Sequence, residues 1–298
     1  MDESVGRARA VFALLAGPPV LWLVVFFLVP LGVIWGFSFG QNVSLTRISV
    51  DGSLANYAHA LSPLYLRILA KSFWFAALTT LLCLAIGFPV AVAISFAKPK
   101  TKAWLLLLIM LPFWTNLLIR TYALMAVLRT EGYVNAVLAA AWRPLAALGG
   151  LMGLGLPGFR PLELLHNDFA VVFGLVYVQL PFMVLPLYAA LDRMDRALIE
   201  ASLDLGSSQL GAFARVVGPL AAPGVISGVL VTFIPSVGAY LTPDLLGGPS
   251  SLMIANVIER QFKAADDWPF GAALSFLLMY LTFIALAAQG AATRRRPA

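Results

Sequence analysis

Residues 103–128 read AWLLLLIMLPFWTNLLIRTYALMAVL, with Arg120 the one charged residue in the stretch. Membrane-barrel strands alternate inward and outward residues over about 10 positions. LLLLIMLPFW (105–114) does not alternate, so the stretch reads as helix. A spanning helix needs about 20 apolar residues. Similar uncharged stretches cover 10–46, 72–97, 169–191, 216–243 and 268–293. The fold class expected is an all-α polytopic membrane protein with six transmembrane helices. The spans are expected at about 11–39, 72–97, 103–128, 169–191, 220–241 and 268–292 of a single domain, 1–298.

Composition agrees. The 298 residues are 61% hydrophobic and 11% charged, with mean hydropathy +0.90, against about 25% charged in soluble domains. Segment 144–159 is too short and too rich in Gly and Pro for a seventh span, and reads as a re-entrant or surface helix. The basic start and long apolar run of residues 1–30 carry no A-x-A site, which predicts an uncleaved first span.

Lys and Arg set orientation. With the N-terminus cytoplasmic, that side holds eleven of them: Arg7, Arg9, Lys98, Lys100, Lys102, Arg193, Arg196, Arg215 and Arg294–Arg296. The other side holds eight. KPKTK (98–102) and RRR (294–296) fall on the same side, so both termini are expected to be cytoplasmic. The net charge of +6 is then topological and calls for no nucleic-acid partner. The terminal RRR is a stop signal or a contact for anionic membrane lipid.

Several motifs fail their context. GFSFG (36–40) matches the hydrolase elbow G-x-S-x-G, which needs a strand, a sharp turn and a helix, but it ends the first span. GLGLPG (153–158) matches the dinucleotide fingerprint, yet prolines crowd the helix that should follow. There is no G-x-x-x-x-G-K-[ST] phosphate loop. His59 and His166 alone make no usual zinc site, and Cys83 is the only cysteine. The sequon NVS (42–44) has no compartment evidence behind it. No catalytic residue and no metal site are expected.

The long polar loop is 192–222, and residues 200–224 read EASLDLGSSQLGAFARVVGPLAAPG. Met194, Ala197, Leu198, Ala201 and Leu205 recur at helical steps as one stripe. Asp192, Arg196, Glu200 and Asp204 lie on another face, where Asp192 and Glu200 can each pair with Arg196. Gly206 follows where a helix needs positive φ to stop. Ser207 or Ser208 can cap a second helix, which Pro219 and Pro223 would then limit. This is a helix–turn–helix knuckle whose apolar stripe is covered by the chain's own spans or by a soluble partner.

The loop resembles the coupling loop of ABC importer permeases: E-A-A-x-x-x-G, nine residues, an aliphatic, one residue, then L-P. It stands here as Glu200-Ala201-Ser202, Gly206, Val216 and Pro219, with Ser202 for the second Ala and Gly218 for Leu. LPFWTNLLIRTYA (111–123) and TPDLLGG (242–248) resemble the spermidine/putrescine-type permeases over most of the chain. The resemblance implies a type I importer permease fold that moves a small organic solute, a polyamine such as spermidine or putrescine. It also implies three partners: an ATP-binding subunit dimer, a sister permease in a heterodimer, and an extracytoplasmic solute-binding protein. ATP and Mg would be bound by the ATPase partner, leaving this chain with no cofactor and no enzyme activity. Glu200, Ala201, Ser202, Asp204, Leu205, Gly206, Val216 and Pro219 would couple to that partner.

Substrate-pathway candidates are Trp114, Asn116, Arg120, Tyr122 and Asp244. Asn116 and Arg120 share a helix face. Arg120 either faces the bundle interior or snorkels to the outer interface. Trp114 and Tyr122 either bind a cation by their π faces or sit in an interfacial belt. The acids of the outer segment, Asp244 included, are mixed with Arg260 and Lys263, so charge alone does not identify a cationic solute. The competing function is a stand-alone secondary transporter or channel, which would be marked by intramembrane acids.

Overall fold

The computed structural model describes residues 2–44, 47–151 and 157–294. Most of the 153–158 glycine motif and Arg295–Arg296 lie outside the described residues. Contacts gather into two units, Met1–Leu66 with Val257–Ala298, and Arg67–Asn256. Five helices are long and apolar enough to cross a membrane, or six when one bent pair is taken as a single span.

In chain order the helices begin with α1 (Asp2–Leu23), a π-helical turn (Val24–Leu28) and α2 (Val29–Phe37). The turn precedes Pro30, and the Val29 N–H bonds back to the Val24 carbonyl. A hairpin follows, β1 (Gly40–Ser44) antiparallel to β2 (Arg47–Val50). Next come α3 (Ala55–Ala60), α4 (Pro63–Ser95), α5 (Pro99–Met110), α6 (Leu117–Leu128) and α7 (Tyr133–Leu151). Then follow α8 (Asp168–Asp192), α9 (Ala197–Asp204) and α10 (Gln209–Ala212). The chain closes with α11 (Gly218–Val237), α12 (Leu241–Leu246), α13 (Ile254–Lys263) and α14 (Trp268–Arg294).

The stretch 103–128 is not the continuous helix expected. After α5, Leu111–Trp114 tightens into a 3-10 turn, Thr115 is extended, and the helical stretch Leu117–Leu148 is bent by 96° from Pro99–Trp114. Pro112 has no N–H for the helical ladder. The Thr115 hydroxyl donates to the Pro112 carbonyl at 2.7 Å, and Asn116 Oδ1 accepts the Leu118 N–H at 2.8 Å. Such local side-chain bonds compete with helix and favour a break.

The fifth span also departs from expectation. Pro219 does not close the knuckle, because helix runs unbroken from Gln209 to Val237. A π turn at Phe213–Val217 absorbs the proline, and the Gly218 N–H reaches the Phe213 carbonyl five residues back. The wider turn accommodates a ring that would otherwise clash with the carbonyl four residues earlier.

Within Arg67–Asn256, α8 is the central helix. Met183 lies against Gly87 of α4 and Gly228 of α11, and a Cβ on Gly228 would stand 2.7 Å from its sulfur. A Cβ on Gly224 would meet the Ala190 Cβ at 2.5 Å and the Pro186 carbonyl at 2.8 Å. Lipid supplies no hydrophobic drive between helices, so such small-residue seams hold them by close packing. At one end of the unit, Lys71 Nζ donates to Asp168 Oδ1 at 2.9 Å and to the Ser250 carbonyl at 2.7 Å. Beside it, Gly247 of the TPDLLGG stretch leaves only 2.5 Å between a would-be Cβ and the Pro243 carbonyl. At the other end, Lys102 of α5 pairs with Asp192 of α8.

In the other unit, Ser38 caps α2, ahead of a strand, the reverse of a nucleophile elbow. Its hydroxyl shares a 2.8 Å hydrogen bond with the Tyr57 hydroxyl. Trp35 Nε1 donates to the Tyr280 hydroxyl at 2.8 Å, and Asn42 Nδ2 to the Asp266 carbonyl at 3.2 Å.

Candidate functional site

The knuckle is built by its glycine. Gly206 has φ +84°. Its N–H donates to the Leu203 carbonyl at 2.9 Å, and the Ser207 N–H donates to the Ser202 carbonyl at 3.1 Å. This pair of bonds is the Schellman closure of α9. Ser208 makes the next cap, its Oγ accepting the Gly211 N–H at 3.1 Å. Glu200, in the first turn of α9, suits the positive end of the helix dipole.

The anticipated pairing of Arg196 with Asp192 and Glu200 gives way to other hydrogen bonds. Arg196 Nη2 donates to the Ser95 carbonyl at 3.0 Å, and its guanidinium stands 5.2 Å from the Phe96 ring centroid. Asp192 takes Lys102 instead, and accepts the Tyr188 hydroxyl at 3.1 Å. The root of the knuckle is thereby tied to the end of α4 and the start of α5. A delocalised guanidinium prefers an aromatic face and a free carbonyl at a helix end to an exposed surface pair.

The apolar stripe divides. Met194, with Ile199 beside it, packs on the core around α8. Leu198 stays exposed, and the tip holds Leu205 at 88% and Leu210 at 82% exposure. Glu200, Ala201, Asp204, Leu205 and Gly206 come together on that exposed tip, with Ser202 half-buried behind them. Val216 and Pro219 lie at the base, in the π turn and the first turn of α11.

A second site is a cavity of about 460 Å³ among α6, α8, α11 and α12, lined by Phe113, Arg120, Gln179, Phe182, Tyr240 and Thr242 among others. Small-molecule sites run about 300–1,000 Å³ and pair apolar walls with a few polar groups. Phe113 and Phe182 meet edge to face at 5.3 Å. Arg120 is 8% exposed and Gln179 5%. Arg120 Nη2 donates to the Thr115 carbonyl at 3.0 Å, bracing the break before α6, while its Nε has no partner among the described residues.

Of the five pathway candidates, Arg120 alone lines this cavity, facing the interior rather than snorkelling. Trp114 is 76% exposed and Tyr122 is exposed. Asn116 is the α6 cap, and Asp244 sits exposed on α12. Gln179, Tyr240 and the phenylalanine pair were missed. The available signal was Gln179 itself, a lone amide in the uncharged stretch 169–191 between prolines and aromatics. The G-x-x-x-G at Gly224 and Gly228 was also there to be read.

Membrane-length helices, a protruding helix–turn–helix and a mostly apolar cavity with a few polar groups define an integral membrane protein. No family model matches the chain. It is 40% identical over 257 residues to the spermidine/putrescine transport system permease protein PotB of Escherichia coli K12, covering 86% of this chain and 88% of that protein. PotB of Haemophilus influenzae is 37% identical over 264 residues, with 87% and 86% covered. The inner membrane ABC transporter permease protein YdcU of Escherichia coli K12 is 30% identical over 290 residues, with 92% and 88% covered. The fold matches a chain of a bacterial ABC transporter involved in import of the acidic polysaccharide alginate, with TM-score 0.74, 15% identity and 99% of each chain covered. It also matches that transporter in complex with an alginate pentasaccharide-bound periplasmic protein, at TM-score 0.69 and 16% identity, over 98% and 96% of the two chains. The chain belongs to the spermidine/putrescine transport system permease family of ABC importers. It is a multi-pass protein of the inner membrane and a transport subunit rather than an enzyme.

Proposed function

We propose that this permease carries a polyamine, spermidine or putrescine, from an extracytoplasmic binding protein to the cytoplasm by alternating access. The names of the PotB relatives support the solute class. In this reading both termini and the knuckle face the cytoplasm. The exposed tip, Leu205 and Leu210 with Glu200 and Gly206, docks on an ATP-binding subunit that holds ATP and Mg. A sister permease completes the path, of which the 460 Å³ cavity is this subunit's share.

The observation that carries the reading is the single helix Gln209–Val237. It starts in the knuckle and ends with Pro235 in the cavity wall. A push on the knuckle is carried along one continuous helix whose far end borders the path. Phe213 also meets the Phe88 ring edge to face at 5.5 Å, so the base of the knuckle bears on α4 as well. A secondary transporter would instead carry an intramembrane acid, and among the described residues no carboxylate is buried.

The test is co-reconstitution with the sister permease, ATPase and binding protein, followed by uptake of radiolabelled spermidine and putrescine. Uptake is expected only with ATP and the ATPase present. Transport by the permeases alone would sink the reading in favour of a secondary transporter.

A further inference from the structure

We propose that Arg120 is a charge barrier, its guanidinium keeping free cations from crossing the cavity uncoupled from ATP hydrolysis. The inference rests on the reading that this cavity lies on the solute path.

Arg120 is the only charged residue lining the cavity and the only buried charged one among the described residues. Among the described residues no carboxylate pairs with it: it donates to the Thr115 carbonyl, and its Nε has no partner there. The guanidinium carries a delocalised positive charge. Burial of an unpaired charge is costly, and the bond to Thr115 alone does not explain it, since a neutral donor would brace the same bend. What the charge adds is a field. The walls beside it are Phe113, Leu175 and Phe182, and in such surroundings a charge acts with far less screening than in water. Single arginines exclude cations from other pores in the same way.

The hazard is specific to this kind of importer. An inside-negative membrane potential pulls every cation inward in proportion to its charge. A path shaped for a multiply charged amine is therefore open to leak whenever it is incompletely sealed. Gln179, nine-tenths buried on the same cavity and without a hydrogen bond to another described residue, gives the solute a neutral polar contact in place of a carboxylate that would hold any cation.

The test uses proteoliposomes holding the assembled importer, without ATP or binding protein, under an inside-negative potential. Entry of rubidium and of labelled spermidine is measured. Wild type and Arg120→Lys are expected to stay at background. Gln179→Glu puts a negative charge in the cavity that Arg120 lines, without changing Arg120 or Thr115. It is expected to raise leak about tenfold or more, as a unit charge added to a weakly screened site does. Arg120→Met, where the complex assembles, is expected to do the same. Background leak in assembled Gln179→Glu overturns the proposal, because a residue that only braces the bend gives that result. Leak by wild type equal to that of Arg120→Met overturns it too. Failure of ATP-driven spermidine uptake in wild type would count against the polyamine reading, while the rubidium measurement still decides the barrier.

Discussion

Gly206 and Gly218 stand twelve residues apart in one loop and obey different constraints. At Gly206, φ is +84° and a Cβ would meet nothing within 4 Å. The demand there is conformational, and a residue with a side chain pays about 1–2 kcal/mol for the left-handed region. Gly206→Val is expected to insert in the membrane and assemble, yet lose coupling. ATPase stimulation by loaded binding protein should fall severalfold or more, with Gly206→Asn intermediate because Asn tolerates that region. Equal stimulation in the valine variant would show that the Schellman closure does not set the docking geometry. At Gly218 a Cβ would sit 3.6 Å from the Phe213 carbonyl, an ordinary contact. Gly218→Leu, which restores the family pattern, is expected to keep docking and to stabilise the helix by about 0.5–1 kcal/mol. A rise in the thermal midpoint of the purified complex checks this.

Among the elements, the rod Gln209–Val237 joins two kinds of surface. Its inner seam is made of small residues, and α8 comes so close at Gly228 that any Cβ meets Met183. Gly228→Leu is expected to cost about 1–3 kcal/mol or more by overpacking, read as a lower thermal midpoint and weaker assembly. Its outer end, with the neighbouring tip of α9, leaves Leu205 and Leu210 in solvent. Burying a leucine on docking contributes about 1.5–3 kcal/mol. Leu205→Asp or Leu210→Asp should therefore weaken binding of the ATPase subunit by about tenfold or more, measured by titration in nanodiscs. Unchanged affinity for both variants would place the docking surface elsewhere. The knuckle itself was legible in the sequence, because helical stripes, a stop glycine and a capping serine all have local causes. The fusion of its second half with the fifth span was not. Pro219 signals a stop, and whether a π turn absorbs it depends on packing that no local rule contains.

Across the whole molecule, legibility declines as contacts become longer in range. Uncharged runs of span length are a property of consecutive residues, and five of them fall within long apolar helices, although Pro63–Ser95 and Gln209–Val237 begin well before the expected 72 and 220. The bend at Thr115 was foreshadowed by Pro112, Thr115 and Asn116, but the length of the apolar run hid it. The cavity was the least legible feature. Gln179 comes from α8, Arg120 from α6 and Tyr240 from beyond α11, and nothing in their spacing says they converge. The same hierarchy should appear as a gradient of local stability. Helix α8 is buried along most of its length, and its seam with α11 is tightly packed, whereas residues 205–211 are mostly exposed and held by a few backbone bonds. Opening free energies range from near zero at such exposed turns to the global value in packed helices. In hydrogen exchange of the solubilised permease pair, amides of 171–191 and 221–237 are expected to exchange slowest and those of 205–211 among the fastest. Addition of the ATPase subunit should then protect 205–211 selectively. If 205–211 were already as protected without that subunit as with it, the knuckle would be a finished part of this fold, and its exposed leucines would need another explanation.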